Sequence, residues 1–313
     1  MPERHQLPPA LVTRLETILP RTIFEAARDG TLPGRALSIR LNPLRGDPCE
    51  TRRALEHAGH PLTPVPWCAE AFTTTSTIRA LQDHPSHAEG QFHIQSLSSI
   101  AATIALDPRP GETVLDLCAA PGSKTSHIAA RTGNSGHLVA NDSSRTRLFR
   151  LKEVLRLLGA TAECSCESGE RFGRAHSRQF DRVLVDAPCS AEGRIVAGES
   201  KAAADWSIQK VRRLASLQKA LLHSGLEALR EGGTLVYSTC TFAPEENELV
   251  VERALERYGD QVDLIPIDTL DDLAVAPLGE WQGAAIDERV RHARRILPPN
   301  EGFFLAKFVR TRT

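Results

Sequence analysis

The hydrophobic pattern of the first 90 residues combines helical spacing with short strand-like runs. It predicts helix over 1–35, a strand over 36–42, a helix over 50–59 and an interrupted strand over 62–72. Pro64 and Pro66 interrupt the last of these, because proline has no N–H to give to a neighbouring strand. The pattern therefore predicts a small α+β domain over residues 1–90.

From Gly111 onward the pattern changes to short apolar strands that alternate with amphipathic helices. The strands are predicted over 114–118, 137–142, 180–189, 232–240 and 302–310, and the helices over 123–132, 144–159 and 206–230. This alternation is typical of an α/β domain, with a mostly parallel sheet covered by helices on both faces. We expect that domain to occupy residues 91–313.

Composition and charge exclude several classes of protein but do not identify a partner. The chain has 313 residues, 41% of them hydrophobic, and no apolar run of membrane-spanning length. The first ten residues have no signal-peptide character, so we expect a soluble, cytoplasmic, monomeric protein. Seven scattered cysteines argue against a disulfide framework. The net charge of −1 gives no sign of nucleic acid, and the excess of arginine over lysine is explained as well by a GC-rich genome.

Polar residues and cysteines collect where the predicted strands end. One strand runs into Asp186-Ala-Pro-Cys189 and a later one into Ser238-Thr239-Cys240. Ligands of such sheets bind outside the carboxyl ends of the strands. If these two strands are neighbours, about 4.8 Å apart, Cys189 and Cys240 face each other across one cleft. Packing alone does not explain two thiols in equivalent positions.

The loop over 118–124 joins the first strand of this domain to a helix. A phosphate-binding loop would require glycine at positions 118 and 123, where the chain has Cys118 and Ser123, so a nucleoside triphosphatase is not expected. A glycine-containing loop before a helix still suits a nucleoside ligand, which can meet free backbone N–H groups. Asp142, at the end of the next strand, suits a ribose diol.

Three segments make a resemblance specific: DLCAAPGSKT, FDRVLVDAPCS and GGTLVYSTCTFAPEENE. They resemble the Sun-type (RsmB/NOL/Sun) RNA (cytosine-5)-methyltransferase family, and the similarity extends over roughly 35–310. The resemblance implies a class I methyltransferase (Rossmann-like) fold with a small N-terminal RNA-binding domain. It also implies S-adenosyl-L-methionine as cofactor, RNA as partner, and neither a metal nor a membrane.

The resemblance also assigns roles to individual residues. Cys240 corresponds to the nucleophile, Cys189 to the cysteine that assists product release, and Asp186 to the residue that hydrogen-bonds the base near N3. Lys124 belongs to the same pocket. The expected cofactor contacts are Cys118, Ala119, Ala120, Pro121, Gly122, Ser123, Lys124, Asp142, Glu167 and Asp186.

The chain departs from the family at two positions. Ala191 stands where the family usually has glycine, and we expect this exchange to cost little. Glu167 replaces the acidic residue that meets the adenine amino group.

Two other functions fit these residues less well. A non-catalytic RNA-binding assembly factor on the same fold is disfavoured because both cysteines, Asp186 and Lys124 are present. A DNA cytosine-5 methyltransferase has its nucleophile in a Pro-Cys context and a large target-recognition insert, which this chain lacks. For the substrate, ribosomal RNA is expected first and transfer RNA second.

Several other polar residues admit a structural interpretation. Cys164 and Cys166 lack zinc-ligand spacing and are expected to be small buried hydrophobes. The histidines, His93 among them, show no ligand pattern and are interpreted as structural. The arginine cluster over 289–295 is either a solvated surface or a phosphate contact, and the sequence favours neither.

Overall fold

The structure is a computed structural model that describes residues 7–33, 36–196 and 203–311. The helical stretch predicted over 1–35 is two helices, α1 Pro9–Ile18 and α2 Arg21–Arg28. They separate at Pro20, because a residue before proline is driven to extended backbone and Leu19 has ψ 148°. The predicted helix at 1–6 and 34–35 lies outside the described residues. Within the described ranges, no helix is long and apolar enough to cross a membrane.

A small antiparallel sheet follows these helices. Its region comprises β1 Leu37–Leu41, α3 Pro48–His57, β2 Thr63–Val65, β3 Cys68–Thr74, α4 Ile78–Gln82, α5 Pro85–Ala88 and β4 Phe92–Ile94. The strand order is β2-β3-β1-β4. The interrupted strand of the sequence is the hairpin of β2 and β3, and Pro64 lies in the edge strand, where a missing N–H costs least.

The predicted boundary at residue 90 does not coincide with the edge of this sheet. β4 pairs with β1 through Ile39 and Ile94, so the sheet continues to Ile94. The helices α1 and α2 pack elsewhere: Leu11 and Phe24 lie in a core cluster with Phe242, which belongs to the second half of the chain. The N-terminal helices thus support the larger domain.

The larger domain contains an eight-stranded sheet. Its strands are β5 Thr113–Asp116, β6 His137–Asn141, β7 Glu163–Ser165, β8 Phe180–Asp186, β9 Leu229–Thr239, β10 Val262–Ile265, β13 Arg294–Ile296 and β14 Phe303–Arg310. The order is β10-β14-β9-β8-β5-β6-β7, with β13 paired to β14. The strands from β9 to β7 are parallel, and β10, β13 and β14 are antiparallel to their neighbours.

Helices cover both faces of this sheet, as the alternating pattern predicts. They are α6 Leu97–Leu106, α7 Ser123–Thr132, α8 Arg145–Leu158, α9 Gly169–Ala175, α10 Glu192–Val196, α11 Ile208–Ala228 and α12 Glu248–Tyr258. Val183 and Val185 pack in the cluster formed with α9, α11 and α12, whereas Leu184 packs in the cluster with α6 and α7. This alternation follows from the two-residue period of a strand.

The remaining elements are short: the hairpin of β11 Glu280–Trp281 and β12 Ala284–Ala285, and three 3-10 helices at Gly259–Gln261, Asp268–Leu270 and Glu288–His292. Two strands differ from their predicted bounds. The strand predicted over 180–189 ends at Asp186, so Cys189 lies in the following loop. The strand predicted over 232–240 begins at Leu229, which pairs with Phe180.

Buried polar contacts join the small sheet to α7. The guanidinium of Arg40, which is fully buried, donates from Nε to Oε1 of Gln95 at 2.9 Å and from Nη2 to Oγ of Ser126 at 3.0 Å. Nearby, Glu70 contacts Nε2 of His127 at 3.1 Å and accepts from Nη1 of Arg131 at 2.9 Å. These contacts hold the small sheet against α7.

The arginine cluster over 289–295 is not the uniformly exposed surface that its sequence suggests. Arg295 is buried and forms a bidentate ion pair with Glu248, with both N···O distances at 2.6 Å. Its Nη1 also donates to the carbonyl of Phe242 at 3.0 Å, two residues after Cys240. The other arginines pair at the surface: Arg289 with Asp287, Arg291 with Glu288, and Arg294 with Asp271. The cluster's charges are therefore largely neutralised within the protein.

The Arg295–Glu248 pair generates a stability prediction. Arg295→Met should lower the free energy of unfolding by about 3–5 kcal/mol, because it leaves the Glu248 carboxylate buried without its partner. Arg295→Met combined with Glu248→Leu should recover most of this loss, since no charge is then left unpaired. Urea denaturation measures both variants, with the exposed Arg291→Met as control. A loss no larger than that of the control contradicts the account.

Candidate active site

The functional residues collect at one edge of the large sheet. β9, β8, β5 and β6 are adjacent and parallel, so their carboxyl ends meet at the same edge. Those ends carry Thr239, Asp186, Asp116 and Asn141. The direct pairing of Asp186 with Ser238 sets the register of the two loops that follow. The edge is where ligands of this architecture bind.

The two cysteines predicted to face each other do so. Sγ of Cys189 lies 3.3 Å from Sγ of Cys240, and the backbone N–H of Cys240 donates to Sγ of Cys189 at 3.3 Å. Both residues are partly accessible. The hydrogen bond with Cys240, together with burial, raises the pKa of the Cys189 thiol well above its ordinary value. Cys189 is thereby kept protonated and can act as a hydrogen-bond donor.

Buried hydrogen bonds hold the two cysteine loops against each other. Oγ of Ser190 lies 2.8 Å from Oγ1 of Thr241, which joins the residues that follow the cysteines. Glu246 accepts from the N–H of Ser190 at 2.9 Å and from Nε2 of Gln218 at 2.7 Å. The same Gln218 amide donates to the carbonyl of Pro188 at 2.8 Å. The thiol positions are therefore fixed by contacts on both sides.

Ala191, where the family usually has glycine, follows this loop. Its φ of 61° lies in the left-handed region that glycine adopts without penalty. For a residue with a Cβ the same conformation costs about 1–2 kcal/mol. The structure thus gives a physical reason for the family's glycine, and it shows that the exchange carries a strain the sequence did not indicate.

Lys124 and Asp186 form a charge pair beside the thiols. Nζ of Lys124 lies 2.7 Å from Oδ2 of Asp186, and Oγ of Ser238 donates to Oδ1 at 2.8 Å. Burial lowers the pKa of the Lys124 ammonium, but the charge and hydrogen bond of Asp186 outweigh it, with smaller contributions from Asp116 and Cys240. The pKa of Lys124 is therefore raised, so its ammonium stays charged. Its Nζ also lies 5.6 Å from the ring centroid of Phe303.

The predicted cofactor loop connects β5 to α7 and contacts the end of β6. Gly122, with φ 112°, precedes the helix, which begins without a capping side chain. A Cβ at Gly122 would lie 3.0 Å from Cδ1 of Leu151 on α8, so the loop and this helix are closely packed. The N–H of Ala119 donates to the carbonyl of Asn141 at 2.8 Å. Oγ of Ser123 lies 2.9 Å from Nε2 of His93.

Cys118 and His93 carry no charge in this loop region. Burial raises the pKa of the Cys118 thiol well above its ordinary value. Burial also lowers the pKa of His93 to about 3, so its ring is neutral. His93 is thus a hydrogen-bonding support of the loop, which fits its structural interpretation.

The two predicted acidic contacts differ in accessibility. Asp142 is buried, accepts from the N–H of Ala120 at 3.3 Å and pairs with Arg147 at 3.1 Å. Glu167 is exposed, and its side chain lies 3.6 Å from Nε2 of His176. The backbone of Glu167 is nevertheless fixed beside the end of β6, because its N–H donates to Oδ1 of Asn141 at 2.9 Å.

Two buried polar residues of this edge have roles that their sequence positions do not indicate. Nδ2 of Asn141 donates to the carbonyl of Leu117 at 3.1 Å, and Oδ1 of Asn141 accepts from the N–H of Glu167. Asn141 therefore fixes the loops after β5 and β7. Asp116 accepts from Oγ1 of Thr125 at 2.7 Å, and burial raises its pKa to about 7. Their positions at strand ends were visible in the sequence, but their partners were not.

The remaining cysteines differ from expectation in one case. Cys166 is exposed and not a buried hydrophobe, because it lies in the loop beyond the short edge strand β7. Cys164 is half-buried, and burial raises the pKa of its thiol.

One group of described residues has metal-ligand geometry. Atoms of Cys68, Glu70 and His127 lie within 4.8 Å of one another. The carboxylate of Glu70 already pairs with Arg131, and the group lies between β3 and α7.

The parallel sheet with its flanking helices defines a class I methyltransferase fold. The family model described as "16S rRNA methyltransferase RsmB/F" matches residues 103–309, and the chain belongs to this family. The match confirms the family predicted from the three segments.

Relatives and solved structures agree with this assignment. Ribosomal RNA small subunit methyltransferase F of Klebsiella pneumoniae is 38% identical over 284 residues, which cover 88% of this chain and 57% of the relative. The protein of that name from Erwinia tasmaniensis is 37% identical over 96% of this chain and 63% of its own length. The chain thus spans about three fifths of the curated relatives it matches.

Among solved structures, a methyltransferase homolog protein from Pyrococcus horikoshii is 31% identical and has a TM-score of 0.80, with 98% of this chain and 100% of that chain covered. NSun6 from the same organism has a TM-score of 0.81 at 19% identity and shares the fold, with 98% of this chain and 99% of that chain covered.

Glu246 generates a prediction about pH dependence. Burial raises its pKa to about 7, although the hydrogen bonds from Ser190 and Gln218 favour the charged form. A raised carboxyl pKa gives stability that is present at low pH and lost as the pH rises through 7. Ionisation of Glu246 should therefore lower the free energy of unfolding by about 2 kcal/mol between about pH 5.5 and pH 8.5.

Glu246→Gln should remove that part of the pH dependence, because the amide does not ionise. Urea denaturation at both pH values measures the difference, with the exposed Glu153→Gln as the matched control. Equal pH slopes for wild type and Glu246→Gln would show that Glu246 does not ionise in this range.

Proposed function

We propose that this chain methylates carbon 5 of a cytosine in RNA, with S-adenosyl-L-methionine as methyl donor and Cys240 as nucleophile. The observation that carries the proposal is the pair of thiols 3.3 Å apart at adjacent strand ends, beside the Lys124–Asp186 pair. A single structural cysteine would need neither a second thiol nor a buried ammonium next to it. The family description, which names 16S rRNA, supports RNA as the substrate.

The chemistry requires a nucleophile because carbon 5 of cytosine is itself unreactive. The Cys240 thiolate adds to carbon 6, forming an S–C6 bond and shifting an electron pair toward carbon 5. When bound, S-adenosyl-L-methionine supplies an electrophilic methyl group. A base then removes the proton from carbon 5, the carbon 5–carbon 6 double bond re-forms, and the S–C6 bond breaks to release Cys240 as thiolate.

The neighbours of Cys240 suit these steps. The ammonium of Lys124 is charged and contributes a field that favours a thiolate nearby. Cys189, kept protonated, donates a hydrogen bond to Cys240 and assists its departure from the product. Asp186 hydrogen-bonds the base near N3 and stabilises its protonated form, sharing its oxygens with Lys124 and Ser238.

The residues of the loop at 118–124 fit the methyl donor. The uncapped start of α7 behind Gly122 offers backbone N–H groups to a carboxylate. The buried carboxylate of Asp142 accepts hydrogen bonds from the hydroxyls of a ribose. These hydroxyls then compete with Arg147 for the carboxylate oxygens. Glu167, held by Asn141 at the mouth of the cleft, meets the adenine amino group.

Ribosomal RNA is the substrate we favour, because the relatives that match over most of this chain are named for the small-subunit ribosomal RNA. Transfer RNA is the second candidate. A non-catalytic assembly factor on the same fold has no use for the paired thiols and is the alternative that the following experiment excludes.

Substitution of each cysteine tests the proposal. Cys189→Ala keeps the nucleophile but loses the group that assists release, so it should attack, methylate once and stall on the RNA. Cys240→Ala should form no adduct and lose essentially all turnover. The measurement is a denaturing gel of each variant after incubation with total RNA and methyl-labelled S-adenosyl-L-methionine.

A slow, labelled protein–RNA band should appear with Cys189→Ala and not with Cys240→Ala. Cys49→Ala, at an exposed cysteine on α3 of the small domain, is the control and should turn over like wild type. The reverse pattern would exchange the two roles. Full activity in both variants would remove the covalent mechanism, and inactivity of wild type on all RNA would favour the assembly factor.

A further inference from the structure

The exposed face of α8 carries an unusual aromatic side chain. Phe149 is 72% exposed, and the other large hydrophobic residues exposed in the described ranges, Ile78 and Val275, are aliphatic. Helix α8 is fully amphipathic without it, since Leu151 and Leu155 face the core. Burial therefore does not explain why a phenylalanine stands at this position.

Cations surround this ring along the same helix. Phe149 shares its helix face with Arg145, four residues before it, and with Lys152 and Arg156, three and seven residues after it. Arg150 adjoins Phe149 in the sequence. All four are exposed, and none has a side-chain hydrogen bond or ion pair to a described residue. By contrast, Arg147 on the same helix pairs with Asp142. We call Arg145, Phe149, Arg150, Lys152 and Arg156 the α8 face.

The charge on α8 does not serve the helix itself. The helix has five cations and one carboxylate, a net charge of +4 in a chain whose total is −1. It has no acidic residue in its first turn, where Arg145 stands. A cation there opposes the helix dipole and lowers stability. A set of unpaired cations around an exposed ring, one of them unfavourably placed at the start of the helix, indicates a surface that meets an anionic partner.

The position of α8 connects this face to the cleft. Leu151 and Leu155, on the buried side, pack against Ala119 and Ala120 of the cofactor loop. At the other end, Nε of Arg45 in the small domain donates to the carbonyl of Leu157 at 3.0 Å. The 14 residues of α8 span about 21 Å. The helix that carries this face thus runs between the loop after β5 and the small domain.

We propose that the α8 face binds the unpaired RNA strand next to the target cytosine, with one base stacked on Phe149 and phosphates on the cations. This inference rests on the proposed function. Aromatic side chains interleaved with basic ones bind single strands, because every base has a face to stack and every nucleotide carries a phosphate. A protein partner would require a larger apolar patch than one exposed ring.

The test compares RNA binding by variants of the full chain. The probe is a fluorescent, mixed-sequence, unpaired oligoribonucleotide, used beside the duplex of the same sequence, and the readout is fluorescence anisotropy. Phe149→Ala should weaken single-strand binding about tenfold and change duplex binding little, because stacking is lost. Phe149→Trp should restore it. Val275→Ala, at another exposed hydrophobic position, is the control.

The cations are tested by the salt dependence of the same binding. Arg150→Gln should weaken binding and lower the slope of log affinity against log salt by about 0.7, the value for one phosphate of a single strand. Arg212→Gln, at an exposed arginine of α11, should leave the slope unchanged. Polyglutamate, an anion without bases, should not distinguish Phe149→Ala from wild type.

Three results would overturn the inference: single-strand affinity of Phe149→Ala equal to that of Val275→Ala, equal losses on strand and duplex, or a salt slope unaffected by Arg150→Gln. The binding comparison needs no turnover, so its outcome is independent of whether the enzyme methylates the probe. Conversely, absence of the labelled adduct from Cys189→Ala, together with an inactive wild type, would refute the proposed function without changing these affinities.

Discussion

The site depends on one constraint, the parallel pairing of β8 with β9 in the register that sets Asp186 beside Ser238. Neighbouring strands lie about 4.8 Å apart, so residues that follow shortly after their ends can approach one another. This pairing brings Cys189 and Cys240 to 3.3 Å, from positions 51 residues apart in the chain. A shift of the register by one residue would separate the thiols and turn Ser238 away from Asp186.

Other contacts preserve this register at a cost in stability. Glu246 is buried with a pKa of about 7 while it holds the Ser190 loop and the Gln218 side chain. Asp116 is buried nearby with a similarly raised pKa. Ala191 adopts a backbone conformation better suited to glycine. Buried carboxylates and strained backbone concentrated at one edge are typical of sites where geometry is kept for chemistry.

The sequence predicts those features that local periodicity and strand ends determine. The strands, their alternation with helices and the meeting of the two cysteines follow from apolar runs that end in polar residues, and the structure has them. The features it missed depend on contacts between distant segments. Arg295 is buried because Glu248 lies opposite it, and α1 and α2 pack on Phe242 because the chain returns there. The small sheet reaches Ile94 because β4 pairs with β1. Neither partner of such a contact reveals the other in the sequence.

The most direct measurement of the central claim locates the bond between protein and base. RNA in which cytosine is replaced by 5-fluorocytosine traps the intermediate, because fluorine occupies the position from which a proton must leave. Wild-type protein incubated with this RNA and S-adenosyl-L-methionine is digested, and the linked peptide is sequenced by mass spectrometry. The account predicts one nucleotide, methylated at carbon 5, on Cys240. Attachment at Cys189, or a methylated product without any linked peptide, would contradict it.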